Sequence, residues 1–273
     1  MLSGLDLLKS ILTAELYDES FWVRMYPDTI PVTNPLKKVI LRRIVSALEQ
    51  RRYRVLLPVE PDKQLRERRN LGRDQPFFGF TMVGRKRLDN FEYCIRTAIT
   101  ESIEGSIVEC GVWRGGASIL AKAVLEDLKS NKELWLCDSF EGLPPPQCEQ
   151  DRGYDFTPWN DYLGVSQDIV RRNFQLFGLL DERVKFLKGF FGETLRGAPI
   201  EKICVLRLDG DLYESTWQCL ESLYPKVAPQ GFIIIDDYKT LEPCRQAVHD
   251  YIRRENLRPE IRQIDGMGVY WRV

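Results

Sequence analysis

The segment that most constrains the fold is a strand-like apolar run that ends in carboxylates. Residues 203–208 are mostly apolar and strand-forming, and Asp209 and Asp211 follow at once. A short apolar run without alternation is typical of a strand buried on both faces of a parallel sheet. A second run, residues 232–235, ends in the same way at Asp236-Asp237. Two such strands predict an α/β fold built on a mostly parallel sheet.

The aspartates at these strand ends form a candidate metal site. Ligands of open α/β sheets bind beyond the carboxyl ends of the strands, so side chains from neighbouring ends can converge. Carboxylates at close range raise one another's pKa values unless a cation compensates them. Their oxygen atoms suit Mg²⁺, with Ca²⁺ or Mn²⁺ as alternatives. In the other interpretation, Asp209 or Asp211 caps the next helix and Asp236-Asp237 opens a turn, which aspartate also favours.

A second candidate site is the glycine-rich turn between a strand at residues 106–110 and a helix that runs to about Lys129. Glycines at 111, 115 and 116 would let the backbone approach a ligand at the start of that helix. The turn is not the G-x-G-x-x-G of dinucleotide-binding folds, and Glu109 precedes it inside the strand. A carboxylate there repels a pyrophosphate but suits an ammonium group, which S-adenosylmethionine carries.

Three later segments complete the predicted nucleotide-binding half. Asp138 ends the next strand, residues 134–138, where an acid can accept both ribose hydroxyls. Residues 147–165 are polar and aromatic without a helical or strand period, which predicts a lid over the carboxyl edge or, alternatively, a disordered loop. After a third strand at 184–187, Lys188-Gly189-Phe190 could place an adenine against the backbone and an aromatic ring.

The chain ends in a predicted helix at 243–254 and a hairpin made of residues 261–264 and 269–272. This hairpin makes the last strand of the sheet antiparallel. The only histidine, His249, lies on that helix away from the strand ends, so we assign it a structural role.

The N-terminal third, residues 1–76, is predicted to be a helical extension that contacts substrate or a second subunit, followed by a domain at 77–273. Apolar spacing predicts helices at 3–17 and 36–52. Residues 36–75 are markedly basic, although the chain has 40 acidic and 39 basic residues. This segment is either a docking face for an acidic carrier protein or membrane surface, or a solvated helix face. It lacks the interleaved aromatics of a nucleic-acid platform, so no nucleic-acid partner is expected.

Cysteine usage and hydropathy indicate the compartment. The seven cysteines include no C-x-x-C pair, and several lie in apolar strands, as buried reduced thiols do. No apolar run reaches the roughly 18 residues that span a bilayer, and the N-terminus lacks the features of a signal peptide. We therefore expect a soluble, cytoplasmic protein without a membrane span.

The chain resembles the macrocin O-methyltransferase family, S-adenosylmethionine-dependent enzymes that methylate hydroxyls on antibiotic sugars and related natural products. The resemblance runs from about Thr81 to Arg272 and is loose over residues 18–75. It rests on motifs at 81–84 (Thr-Met-Val-Gly), 87–90 (Arg-Leu-Asp-Asn), 108–116 (Val-Glu-Cys-Gly-Val-Trp-Arg-Gly-Gly), 138–144 (Asp-Ser-Phe-Glu-Gly-Leu-Pro), 208–216 (Leu-Asp-Gly-Asp-Leu-Tyr-Glu-Ser-Thr) and 236–238 (Asp-Asp-Tyr).

The resemblance implies a fold and a set of roles. The fold is the Rossmann-like class I methyltransferase fold, with a mostly parallel seven-stranded sheet, an antiparallel last strand, helices on both faces and usually an oligomer, for which we expect a homodimer. The cofactor S-adenosylmethionine would contact Thr81, Met82, Glu109, Gly111, Gly115, Ser118, Asp138, Ser139, Lys188, Gly189, Phe190 and Asp209. Asp209, Asp236 and Asp237 match the Mg²⁺ ligands, and Asp209 also matches the catalytic base.

The predicted reaction is therefore Mg²⁺-dependent O-methylation of a natural-product hydroxyl. The acceptor is expected to be a small antibiotic sugar, polyketide or peptide metabolite, free or carried by a protein. Two alternative functions are left open. One is a nicotinamide-dependent oxidoreductase, against which Glu109 and the absent G-x-G-x-x-G argue, and the other is a non-catalytic module that docks an acidic carrier.

Overall fold

The computed structural model describes residues 4–15, 22–25, 27, 30, 32, 34–51, 53, 55–58, 63–73 and 76–273. Its strands are β1 (Trp22–Arg24), β2 (Leu56–Pro58), β3 (Ser106–Cys110), β4 (Leu134–Asp138), β5 (Val184–Lys188), β6 (Ile203–Leu208), β7 (Val227–Ile235), β8 (Arg262–Gln263) and β9 (Val269–Arg272). Its α-helices are α1 (Gly4–Leu12), α2 (Pro35–Gln50), α3 (Lys63–Asn70), α4 (Arg85–Thr100), α5 (Gly116–Asp127), α6 (Asn160–Leu163), α7 (Gln167–Leu176), α8 (Phe191–Thr194), α9 (Tyr213–Leu223) and α10 (Glu242–Arg254).

Seven strands form one sheet in the order β5-β4-β3-β6-β7-β9-β8. The five strands from β5 to β7 are parallel, and β9 is antiparallel to both β7 and β8. This arrangement confirms the predicted sheet and its antiparallel last strand. β1 and β2 form a separate antiparallel ribbon that the sequence did not predict.

Helices cover both faces of the sheet, because successive strand residues point to opposite sides. Ile107 and Ile234 belong to a core formed with α4, α5 and α7. Their neighbours Val108 and Ile235 belong to a core formed with α9 and α10. All residues of β6 are buried, as expected for a central strand with helices on each side.

The N-terminal elements agree with the predictions only in part. α1 ends at Leu12, and positions 3, 16 and 17 of the predicted helix lie outside the described residues. α2 matches its predicted bounds closely, but only Val45 of its apolar residues is buried, whereas Ile40 and Ile44 are exposed. α3 was not predicted, because its residues are too polar to show an apolar face. The division of the chain at residue 76 stays a prediction.

Two further observations concern cysteines and membranes. All seven cysteines, each within the described part of the chain, are free, and six of them are buried. None of the helices that the structure describes is both long and apolar enough to cross a membrane.

Candidate active site

The candidate site lies at the carboxyl ends of β3, β4, β5, β6 and β7. From β3 the strand order first runs outward through β4 to β5, and β6 then returns to pair with the opposite edge of β3. The order reverses between β3 and β6, and open α/β sheets bind ligands at such a switch point. A cavity of about 760 Å³ opens there. Its lining includes Gly111 of the glycine turn, Asp138 and Phe190, together with the aspartates that follow β6 and β7.

Gly111 allows β3 to end in close contact with its two neighbours. Its φ is +87°, and a Cβ at this position would lie 1.8 Å from the carbonyl oxygen of Asp209. The amide of Gly111 donates to the carbonyl of Cys137 at 3.0 Å, and the amide of Asp209 donates to the carbonyl of Cys110 at 2.8 Å. The turn is therefore fitted between the ends of β4 and β6, and only glycine leaves room for it.

Asp138 holds the backbone of the turn and also faces the cavity. Its Oδ2 accepts from the amide of Val112 at 2.6 Å, and its Oδ1 accepts from the amide of Phe140 at 2.7 Å. Burial raises the pKa of Asp138, while these backbone hydrogen bonds act in the opposite direction. The carboxylate is thus fixed at the site where the sequence predicts a ribose contact.

The predicted cofactor residues fall into two groups. Lining the cavity are Met82, Gly111, Asp138, Ser139, Phe190 and Asp209. Outside the lining are Thr81, Glu109, Gly115, Ser118, Lys188 and Gly189. Thr81 is buried and its Oγ1 accepts from the amide of Val83 at 3.0 Å, while Lys188 pairs with Glu141 at 3.2 Å. The roles of both groups remain predictions.

Glu109 is buried behind the turn and has a partner at each oxygen. Its Oε2 accepts from Ser118 Oγ, and its Oε1 accepts from Arg207 Nη1 at 2.7 Å. Burial raises the pKa of Glu109 to about 7, against the opposing charge of Arg207. A contact with the ammonium group of a cofactor stays a prediction for this residue.

The three predicted metal ligands lie together. Asp209, Asp236 and Asp237 each offer a carboxylate oxygen, and these oxygens lie within 4.8 Å of one another. Asp211 also lines the cavity and takes a φ of +61°. The structure thus brings the ends of β6 and β7 together as expected from their parallel pairing.

The cluster fits a hard divalent cation. Asp237 Oδ2 is buried and has no hydrogen-bond partner within the described ranges. Burial, reinforced by neighbouring carboxylates, raises the pKa values of Asp209 and Asp237 and raises that of Asp211 to about 8. The donor set consists of carboxylate oxygens alone, as Mg²⁺ prefers.

Sequence reasoning missed two buried arginines at this site. Arg207 in β6 and Arg87 in α4 both bond to Asp236, which lies 149 positions from Arg87. The signal for Arg207 was present, because an arginine inside a strand buried on both faces requires carboxylate partners. The partners of Arg87 could not be read from its helix.

The predicted lid is held in place by Asp151, one of its own acidic residues, through a contact that the sequence did not predict. Asp151 is buried, and its two oxygens accept from the amides of Tyr213 and Glu214 at the start of α9, at 2.7 and 3.1 Å. Farther along, Tyr162 donates from its hydroxyl to the carbonyl of Pro76 at 2.9 Å. The lid also contains a 3₁₀ turn at Thr157–Trp159 and the short helix α6, so it is an ordered cover.

His249 lies away from the cavity lining. Its Nε2 is 2.8 Å from the hydroxyl of Tyr238, in an exposed pair. The structural role of His249 stays a prediction.

Comparison with known proteins identifies relatives along nearly the whole chain. The model of the family described as macrocin-O-methyltransferase (TylF) matches residues 3–273. The 8-demethyl-8-(2,3-dimethoxy-alpha-L-rhamnosyl)-tetracenomycin-C 4'-O-methyltransferase of Streptomyces olivaceus is 48% identical over 217 residues, which are 78% of this chain and 82% of the relative. The mycinamicin III 3''-O-methyltransferase of Micromonospora griseorubida is 41% identical over 213 residues, 76% of this chain and 83% of that protein.

A solved structure agrees with these relatives. The O-methyltransferase NovP superimposes with a TM-score of 0.81 at 37% identity, over 98% of this chain and 97% of that one. The chain is therefore an S-adenosylmethionine-dependent O-methyltransferase with the class I fold, as the resemblance implied, and the oxidoreductase alternative is not supported. A family model that spans residues 3–273, together with these relatives and this fold, leads to one conclusion: the chain belongs to the macrocin-O-methyltransferase family.

Proposed function

We propose that this enzyme transfers the methyl group of S-adenosylmethionine to a sugar hydroxyl of a glycosylated natural product, with Mg²⁺ bound by Asp209, Asp236 and Asp237. The observation that carries the proposal is the convergence of these three carboxylates in the cavity that also contains the glycine turn and Asp138. Six of the predicted cofactor residues and all three predicted metal ligands line the same cavity, as a transfer between two bound molecules requires.

The sulfonium cofactor would occupy the end of the cavity at β3, β4 and β5. Asp138 is held rigidly by two backbone amides and still faces the cavity, so it can accept from ribose hydroxyls. Met82 and Phe190, which follows β5, also line the cavity. The cofactor supplies an electrophilic methyl group.

The metal would be held by oxygens of Asp209, Asp236 and Asp237, of which Asp237 Oδ2 needs a partner. Bound there, Mg²⁺ would lower the pKa of the substrate hydroxyl and orient its oxygen. Asp209 faces the cavity and would accept the hydroxyl proton. Burial raises the pKa of Asp209, and the charge of Asp236 acts in the same direction.

The acceptor class is proposed from the relatives and from the lid. Two relatives are named as methyltransferases of a rhamnosyl-tetracenomycin and of mycinamicin III, and a third, 46% identical over 210 residues, as a demethyldecarbamoylnovobiocin O-methyltransferase of Streptomyces niveus. In this chain, Pro144 and the lid residues Phe156, Trp159 and Leu163 line the cavity. These apolar groups suit the scaffold of a glycosylated metabolite while the sugar hydroxyl reaches the aspartates.

The test combines a variant with metal removal. Purified enzyme is incubated with labelled S-adenosylmethionine and a panel of glycosides that differ in one free sugar hydroxyl, with and without chelator. We expect label on one hydroxyl only, its loss with chelator and its recovery with Mg²⁺. Asp209→Ala should lose turnover while S-adenosylhomocysteine binding, measured by calorimetry, is nearly unchanged. Turnover that persists in chelator, or in Asp209→Ala with cofactor bound, would contradict the metal and base roles.

Two further proposals concern partners. The exposed apolar residues Leu36, Val39 and Ile40 of α2, beside Lys37 and Lys38, support a contact of this helix with a second subunit or an acidic carrier protein. The molecular mass in solution, measured by light scattering with and without a Leu36→Glu change, tests the homodimer. A monomeric wild-type protein would reject it.

A further inference from the structure

Arg207 connects carboxylates of three neighbouring strands. Its side chain is 1% exposed and lies on the face of β6 that α4 covers. Nη1 donates to Glu109 Oε1 at 2.7 Å and to Asp209 Oδ2 at 2.9 Å, and Nη2 donates to Asp236 Oδ1 at 2.5 Å. Glu109 and Arg207 are also partners in the strand register, so the backbone fixes this contact.

Arg87 approaches the same carboxylate from the other side. It lies in the first turn of α4 and is buried, and its Nη1 donates to Asp236 Oδ2. Its Nη2 donates to the carbonyl of Leu71 at 3.0 Å, and its Nε lies 3.3 Å from Asp265 Oδ2 in the terminal hairpin. The loop that follows α3 and the terminal hairpin therefore both contact its guanidinium group.

Together the two arginines bond to both oxygens of Asp236. Each carboxylate oxygen has a second lone pair, so a cation can still bind while the guanidinium groups hold the side chain in place. Without these guanidinium groups, the three neighbouring aspartates would repel one another and turn apart. Arginine suits this task because its planar fork reaches two carboxylates at once, which lysine does not.

We infer that Arg207 and Arg87 are positioning residues that hold Asp209 and Asp236 in the arrangement that binds the divalent cation. The inference rests on the proposed metal site and assigns a role in that site to two residues outside the predicted ligand set. Partners of this kind behind metal ligands change metal affinity by about 10- to 100-fold when they are removed.

A purely structural role makes a different prediction. Removing one partner of a buried ion pair commonly destabilises the folded protein, whether or not the pair lies near a binding site. Lys122 offers the matched control, because it is equally buried and pairs with Glu126 and with Asp181, the latter at 2.8 Å, but does not line the cavity. Lys122→Met should therefore lose stability with no effect on the metal.

The experiment uses the full chain without acceptor. Mn²⁺ binding is measured by electron paramagnetic resonance, S-adenosylhomocysteine binding by calorimetry and stability by urea unfolding, for wild type, Arg87→Met, Arg87→Lys, Arg207→Lys and Lys122→Met. We expect Arg87→Met and Arg207→Lys to bind Mn²⁺ about 10- to 100-fold more weakly. Arg87→Met, which touches none of the predicted cofactor residues, should keep the wild-type affinity for S-adenosylhomocysteine. Arg87→Lys should recover part of the loss, and Lys122→Met should bind Mn²⁺ like wild type.

The outcomes separate the inference from the proposed function. A wild-type protein that binds no Mn²⁺ would reject the metal site and the inference with it. Wild-type Mn²⁺ affinity in Arg87→Met and Arg207→Lys, beside a wild type that does bind, would reject the inference alone. Equal losses of Mn²⁺ and S-adenosylhomocysteine affinity in these variants and in Lys122→Met would also reject it. If Arg207→Lys does not fold, the comparison of Arg87→Met with Arg87→Lys tests the inference by itself. Both of these variants keep Arg207, which still holds Asp236.

Discussion

Replacing Gly111 by alanine should separate the cofactor turn from the predicted base. At Gly111, φ is +87°, and the added Cβ would lie 1.8 Å from the carbonyl oxygen of Asp209, whereas ordinary contact begins at 3.4 Å. The obstacle is the backbone of Asp209, so the clash cannot be relieved by the rotation of a side chain. β3 and β6 must therefore move apart at the point where Asp209 leaves the sheet.

The magnitude has two parts. The left-handed backbone conformation costs a non-glycine residue about 1–2 kcal/mol. Forcing an extra carbon into a packed interior costs about 1–3 kcal/mol more, so the free energy of unfolding should fall by about 2–5 kcal/mol. A shift of about 1 Å in a reacting group can lower the rate about 100-fold, so turnover should fall by a similar factor.

Gly178→Ala is the matched control. Gly178 has a φ of +65°, and within the described ranges no atom lies within 4 Å of its added Cβ. Gly178→Ala therefore has the conformational cost without the clash, and its free energy of unfolding should fall by only about 1–2 kcal/mol. Urea unfolding and initial rates of methyl transfer measure both effects. A Gly111→Ala enzyme that is as stable as Gly178→Ala and fully active would refute this reasoning.

Three further predictions address other parts of the site. Asp138→Ala removes the acceptor of two backbone amides, so the affinity for S-adenosylhomocysteine should fall at least about tenfold and the free energy of unfolding by about 2–3 kcal/mol. If calorimetry and urea titration find neither effect, the proposed role of Asp138 in cofactor binding is contradicted. Asp151→Ala removes the cap of α9 and should cost about 1 kcal/mol and raise the KM for the acceptor more than it lowers kcat; an unchanged KM would show that this contact does not hold the lid. Burial raises the pKa of Glu109 from an ordinary value of 4.5 to about 7, so between these pH values the folded chain holds a proton that the unfolded chain has lost. The free energy of unfolding therefore declines as pH rises through this window, and Glu109→Gln should remove that part of the decline; equal slopes in both proteins would exclude this explanation.

The strands of the sheet were predictable from short stretches of sequence. The run at 203–208 coincides with β6, because a strand buried on both faces must be apolar along its length. The terminal hairpin and the glycine turn were visible for similar local reasons. α6 and α8 were not, since helices of one turn carry too few residues to show a period.

The sequence by itself determined the fold class and the presence of acids at the ends of β6 and β7, because burial and strand geometry act within a few neighbouring residues. Only the tertiary structure decided which side chains meet those acids. Arg87 and Asp236 are 149 positions apart, and Asp151 reaches α9 across 62 positions. Such contacts depend on the order of the strands and on the balance of buried charge, and these are settled only when the whole chain packs together.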